Sequence, residues 1–285
     1  MGIFVGLLNA LSVGLLDVFL KKLAGLSPNV LTWVRMLAAV PVLAALVTMF
    51  HQWAIPPFAF WLIIGVIAVP LELVLAYIGT KAVQIAPLSL IAPLGAFTSF
   101  FLIPVGYIVL GELPTLVGFG GVALIVIGSF FLGWRMGERQ LRQGLGDILR
   151  EPGSWLALSG AFIASLTVTL AKFTFRYTTP LLAAFYTTSL EALLLIPLVV
   201  ASGSLPLLRL KFRHIGGLMA MAGSGIALHY TGLSLLPAVY YISVKRTSTV
   251  INVLWGRLFF REDHTRERMT GAALMLIGVI LIAVG

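Results

Sequence analysis

Apolar runs of about 20 residues, the length a helix needs to cross the hydrocarbon of a bilayer, follow one another along the chain with little polar sequence between them. Ten spans can be read, at about 2–22, 28–50, 57–80, 85–110, 114–134, 154–176, 180–202, 214–236, 238–260 and 267–285. Turn and breaker residues mark the connections: Ser27-Pro28, Pro56-Pro57, Pro87, Pro114, Pro180 and Pro237. The one long polar stretch, Arg135 to Gly153, separates five spans from five. The expected fold is therefore an all-α polytopic membrane protein of ten transmembrane helices. Its expected units are 1–134, a connecting loop at 135–153, and 154–285.

The two halves share a pattern. A shift of 150 residues lays Pro87 on Pro237, Gly106 on Gly256, Glu112 on Glu262, Gly121 on Gly271 and Gly128 on Gly278. It also lays Thr98-Ser99 on Ser248-Thr249 and Lys22 on Lys172. Five spans per half is an odd number, so the second half enters the membrane from the opposite side. That predicts two inverted five-helix repeats, an architecture whose solute sites lie near the midplane between repeats.

Span nine breaks its own apolar pattern. Lys245 and Arg246 stand side by side near the middle of Pro237 to Glu262. A cation inside hydrocarbon is costly, so such residues face a partner or a water-filled cavity. On a continuous helix Tyr241, Lys245, Ser248, Thr249 and Asn252 share one face. The stripe points either to an anionic ligand or to an internal salt bridge with Glu72, Glu191 or Asp17. A third option places both charges nearer the interface.

Other ionisable and hydroxyl groups inside spans are candidates for the same site. Arg35 in span two either pairs with Glu191 or joins the cavity. Glu72, just after Pro70, and Glu191 are each either a proton carrier or a fixed counter-ion to Lys245 or Arg246. Asp17 and Lys21 are four apart and can pair along span one. His229 and Tyr230 in span eight, with Tyr77 in span three, can hydrogen-bond a solute, although a structural role for the histidine is also open. Lys172 near the end of span six is expected to snorkel to the interface. Glycines at 120, 121, 128 and 133, and at 271, 278 and 285, suit close helix packing or dimer contacts, so monomer and homodimer both stay open.

Composition agrees with the pattern. Hydrophobic residues make up 60% of the chain and charged residues only 10%, far below the quarter or so of a soluble domain. The net charge of +9 records which loops stay cytoplasmic rather than a nucleic-acid partner. There is no cysteine, which excludes disulfide and thiol chemistry. A cleavable signal peptide is not expected, because the first residues lack a basic start. No P-loop, metal-ligand cluster or Ser-His-Asp set is present, so an enzyme, a cofactor and a bound metal are not expected.

IAPLSLIAPLGAFTSFFLIPVGYIVLGE in the first half and LLPAVYYISVKRTSTVINVLWGRLFFRE in the second carry a family resemblance. The chain resembles the drug/metabolite transporter superfamily, in particular its ten-span EamA-type members, over its whole length. The Gly-x-x-x-x-x-Glu endings at Gly106–Glu112 and Gly256–Glu262 look like the family's usual helix end. The resemblance implies a central cavity lined by spans one to four and six to nine, alternating access, and the inner (plasma) membrane of a bacterium. Lys245 and Arg246 look similar to the paired cations with which triose-phosphate translocators hold phosphate.

Fourteen of the nineteen Lys and Arg fall at odd-numbered connections, which by the positive-inside rule puts both termini outside. Many EamA-type relatives are described the other way round. The expected activity is secondary transport of a small organic anion, phosphorylated or carboxylated, driven by protons or by exchange. Alternatives are export of amino acids or amphipathic metabolites, flipping of a lipid-linked phosphate, and a scaffold that transports nothing.

Overall fold

The computed structural model describes residues 1–22, 28–85, 94–133, 151–202, 215–248, 250–251 and 266–285. These residues form ten helices. In the first half, α1 is Gly2–Lys22 and α2 is Pro28–Met49. α3 runs in three pieces, Phe58–Leu62, a π-helical turn Ile63–Ala68, and Val69–Ile85. α4 is Phe97–Leu110 and α5 is Leu116–Gly133. In the second half, α6 is Pro152–Phe173 and continues into a 3₁₀ turn at Thr174–Arg176. α7 comprises Pro180–Leu194 and Ile196–Ala201. α8 is Ile215–Leu235, α9 is Ala238–Lys245 and α10 is Arg266–Val284.

Helix pairing follows the repeat. Shifting by half a chain turns α1 into α6 and α3 into α8. α1 packs on α8, and its counterpart α6 packs on α3. The same operation relates α4 on α6 to α9 on α1. α2 with α7, α4 with α9, and α5 with α10 pair directly with their own counterparts. This is the contact pattern of two inverted five-helix repeats around a pseudo-twofold axis.

The α5–α10 pair is the most closely packed and shows why its glycines are there. A Cβ on Gly121 would sit 2.6 Å from the carbonyl oxygen of Gly278, and one on Gly278 would meet that of Gly121 at 2.6 Å. A Cβ on Gly128 would meet the carbonyl of Gly271 at the same distance. Gly121, Gly128, Gly271 and Gly278 thus serve close packing within the chain, whereas a Cβ on Gly120 would meet nothing within 4 Å.

Three local departures from regular helix place the site. Pro70 has no amide to donate and its ring crowds the preceding turn. The helix accommodates it with the π turn Ile63–Ala68, which ends four residues ahead of Glu72. α4 is preceded by a helical stretch that breaks at Ala96, where the Ser99 amide bonds to Ala96 O rather than to Gly95 O. α9 ends at Lys245, followed by turns at Arg246 and Thr247 and renewed helix at Ser248. The expected continuous span at 238–260 is therefore interrupted at its cations. Under the repeat, Ala96 corresponds to Arg246, so the two breaks are counterparts.

Candidate functional site

The breaks in α4 and α9 are joined by a side chain. Arg246 Nη2 donates to Gly95 O at 2.6 Å and to Thr98 Oγ1 at 3.1 Å. The Thr98 hydroxyl also donates to Gly95 O, at 2.8 Å. The carbonyl that the break removes from the helical ladder is thus satisfied from across the repeat interface, as a buried backbone acceptor requires. Beside it, Lys245 Nζ reaches His229 Nδ1 at 3.4 Å. The same His229 nitrogen lies 3.2 Å from the Tyr241 hydroxyl, which donates to Asn9 Oδ1 at 3.0 Å. Asn9 in turn donates from Nδ2 to Gly225 O at 2.5 Å. Nδ1 accepts from Lys245 when it carries no proton and donates to Tyr241 when it does, so its tautomer selects the partner.

Of these groups, Asn9, Thr98, Gly225, His229, Lys245 and Arg246 border one cavity of about 410 Å³ between the two repeats. Of the residues expected at a site, Arg35, Glu72, Glu191, His229, Tyr230, Lys245, Arg246 and Ser248 all line it. On a regular helix adjacent side chains diverge by about 100°, so two neighbouring cations would not share a cavity easily. The turn after Lys245 brings both to it. Arg35 joins the cavity, and its charge reaches both Glu72 and Glu191. Glu72 lies against the Thr167 hydroxyl and within the field of Lys245; Glu191 lies within the field of Glu72.

Other expected residues lie elsewhere. Tyr241 is fully buried, with its ring against Gly232, where an added Cβ would lie 2.2 Å from it. It supports Asn9 and His229 instead of lining the cavity. Tyr77 is 62% exposed on α3, with Lys81 Nζ 5.7 Å from its ring centre. Thr249, Asn252 and the Asp17 side chain lie outside the described residues. Lys172 does not snorkel: it pairs with Glu112 and donates to Leu236 O at 2.6 Å.

Sequence reasoning passed over Asn9, Thr167 and Thr188, which also line the cavity. Asn9 offered a signal, as the only side-chain amide in span one. The threonines offered none, because such residues in membrane helices usually bond to their own backbone. Thr167 does so, to Ala164 O at 3.2 Å.

Among the described residues there is no group of histidines and carboxylates able to hold a metal ion. Among the described residues, four helices are long and apolar enough to cross a membrane (Val30–Met49, Phe58–Gly79, Pro152–Arg176 and Pro180–Ala201), and shorter apolar helices accompany them.

No curated protein matches the chain by sequence. A solved crystal structure is similar in fold, with a TM-score of 0.77 at 14% identity. The match covers 99% of this chain and 98% of that one. The family model for the EamA-like transporter family matches twice, at residues 1–134 and 151–284, once for each repeat. The chain belongs to the EamA-like transporter family, whose members are membrane transporters of small molecules.

Proposed function

We propose that this transporter carries a small organic anion, phosphorylated or carboxylated, which binds in the cavity between the repeats. One observation carries the reading: three basic side chains (Arg35, Lys245, Arg246) and two carboxylates (Glu72, Glu191) line the same cavity, a formal excess of one basic group. An anion entering it meets an ammonium at Lys245 and the planar fork of a guanidinium at Arg35, both suited to carboxylate or phosphate oxygens. Arg246 already spends one nitrogen on α4, so it supports the site and adds charge to it. A volume of about 410 Å³ falls at the small end of ligand pockets.

The carboxylates supply the coupling. Transport proceeds by alternating access, and either Glu72 or Glu191 exchanges its proton as the solute leaves, or a second anion is carried back. The same two carboxylates favour a second reading, a zwitterion whose ammonium lies toward Glu191 and whose carboxylate lies toward Lys245. The positive-inside rule puts the odd-numbered connections in the cytoplasm of a bacterial cell and both termini outside. Gly121, Gly128, Gly271 and Gly278, four of the glycines that could have formed a dimer face, are used between α5 and α10, which supports a monomer.

Melting of the purified protein against phosphorylated sugars, carboxylates and amino acids tests the reading, since a ligand of the folded state raises Tm by mass action. An anion should raise Tm in the parent and not in Lys245→Ala. Amino acids raising Tm equally in both would replace the anion with the zwitterion.

A further inference from the structure

Glu112 and Lys172 lie outside the cavity, yet they tie together the segments that close one end of it. Lys172 follows Ala171, which lines the cavity. Its ammonium pairs with Glu112 Oε1 and donates to Leu236 O at 2.6 Å. Glu112 Oε2 accepts the amide of Ala238, the first residue of α9, at 2.8 Å. The end of α4, the end of α6 and the α8–α9 turn therefore meet at one ion pair. These are the fourth, sixth and eighth connections, and in a ten-span chain all even connections share one face of the membrane. The second connection is joined on that face to the sixth, by Thr179 Oγ1 to Gln52 Oε1 at 2.7 Å, and to α7, by the Tyr186 hydroxyl to Ala54 O at 3.1 Å.

The local backbone is built to present Glu112. Gly111 ends α4 in the left-handed region, at φ 73°, which a glycine adopts without strain. The Glu112 amide returns to Gly106 O at 3.3 Å, the bond that gives the Gly106–Glu112 spacing its physical meaning. The carboxylate then points across to α9 and α6 rather than outward.

We propose that Glu112 and Lys172 are gating residues for transport: their pair holds the even-connection face shut, and it separates each time solute passes that face. A partly buried ion pair adds little stability over an apolar contact of the same shape, but two charges can part into water at small cost where an apolar contact cannot. The Lys172 side chain is 14% exposed and that of Glu112 23%, so water is close at hand. α9 connects the gate to the cavity. Glu112 holds its first amide, and seven residues on, about 10 Å along the axis, Lys245 and then Arg246 enter the cavity. A solute that draws on those cations draws on the helix whose other end is the gate. The inference rests on the chain being a transporter and not on its solute being an anion.

The chain has no cysteine, so one introduced thiol reports on one place. Ser248→Cys reports on the cavity. Ile55→Cys, at a residue 90% exposed in the second connection, identifies the even face in oriented vesicles. A membrane-impermeant sulfonated maleimide applied from that face should label Ser248→Cys slowly. Adding Lys172→Met or Glu112→Gln should speed the labelling by about tenfold, within the range of coupled two-state changes. Lys172→Met leaves the carboxylate on Ala238, so it carries the test even if Glu112→Gln fails to fold. Unchanged labelling from the even face in Lys172→Met, with Ile55→Cys labelled as in the parent, would overturn the gate. The readout needs no solute, so failure of the anion reading leaves it intact.

Discussion

Arg246 and Gly95 stand 151 residues apart in sequence and are joined by a 2.6 Å hydrogen bond that closes the interrupted α4 against the interrupted α9. The guanidinium fills the acceptor that one break exposes, and the other break is where the guanidinium sits. Removing it leaves a buried carbonyl with only the Thr98 hydroxyl.

Arg246→Ala should therefore lower stability in detergent by about 1.5–3 kcal/mol, the range for a hydrogen bond to a charged group. Arg246→Lys should recover part of that, because an ammonium supplies the charge without the fork. Denaturation monitored by tryptophan fluorescence measures both. Equal losses in the two variants would mean that guanidinium geometry, not charge, holds the breaks together.

The glycines of α5 give a contrast along one helix. Gly121→Ala puts a methyl 2.6 Å from the backbone of Gly278, whereas Gly120→Ala meets nothing within 4 Å. The first should cost about 1–3 kcal/mol, as overpacking does. The second should be neutral or stabilise slightly, by up to about 1 kcal/mol. Thermal melts of the two proteins side by side decide it, and similar Tm values would show that the α5–α10 contact is not as close as described.

Three tyrosines separate the supported from the exposed. Tyr241→Phe removes the hydroxyl donor to Asn9 and should cost about 1–3 kcal/mol, because the amide oxygen stays buried. Tyr240→Phe frees the Thr115 amide at the start of α5, now 2.7 Å from the hydroxyl, and should cost about 1 kcal/mol. Tyr77→Phe should change stability by less than about 0.5 kcal/mol, as at an open surface position. Urea or thermal unfolding orders the three, and a Tyr77 effect as large as that of Tyr241 would contradict the arrangement.

Much of this architecture was legible in the chain. Ten apolar runs, the midpoint polar stretch and the 150-residue register foretell the helices and their order in two repeats, because both follow from hydrophobic length and the spacing of Gly and Pro; that the glycines of α5 would meet those of α10 was not foretold. Lys245, Arg246, Glu72 and Glu191 stood out for the plain reason that charge is scarce in apolar helices. The interruption at Arg246 was not legible. Nothing in VKRTST breaks a helix by propensity, and the turn exists because Arg246 finds Gly95 across the repeat interface, a tertiary gain no local pattern reports. Lys172 was misread for a similar reason: the distance to water is visible in sequence, but its partner Glu112 lies 60 residues away. Tyr241 belongs on the polar stripe by periodicity, yet its hydroxyl is turned to Asn9 on α1. Helical period tells which face a residue is on, not what stands opposite.

Lys245 also makes a prediction separable from folding. Lys245→Arg keeps a cation at the cavity but changes a point charge to a fork, and Lys245→Gln removes the charge. With an anion as solute, the first should retain binding with altered selectivity and the second should lose it, while both melt close to the parent without solute. Isothermal titration with the anion that stabilises the parent tells them apart. Loss of folding in Lys245→Gln but not in Lys245→Arg would make Lys245 a structural cation for His229 and Glu72.

The most direct measurement is exchange in proteoliposomes loaded with a phosphorylated or carboxylated solute and offered the same solute in radiolabelled form outside. Counterflow by the parent, abolished in Lys245→Gln and Arg35→Gln while Tyr77→Phe is unaffected, is the result this account predicts. Counterflow that persists when both cations are neutralised, or uptake restricted to solutes without an acidic group, would contradict it.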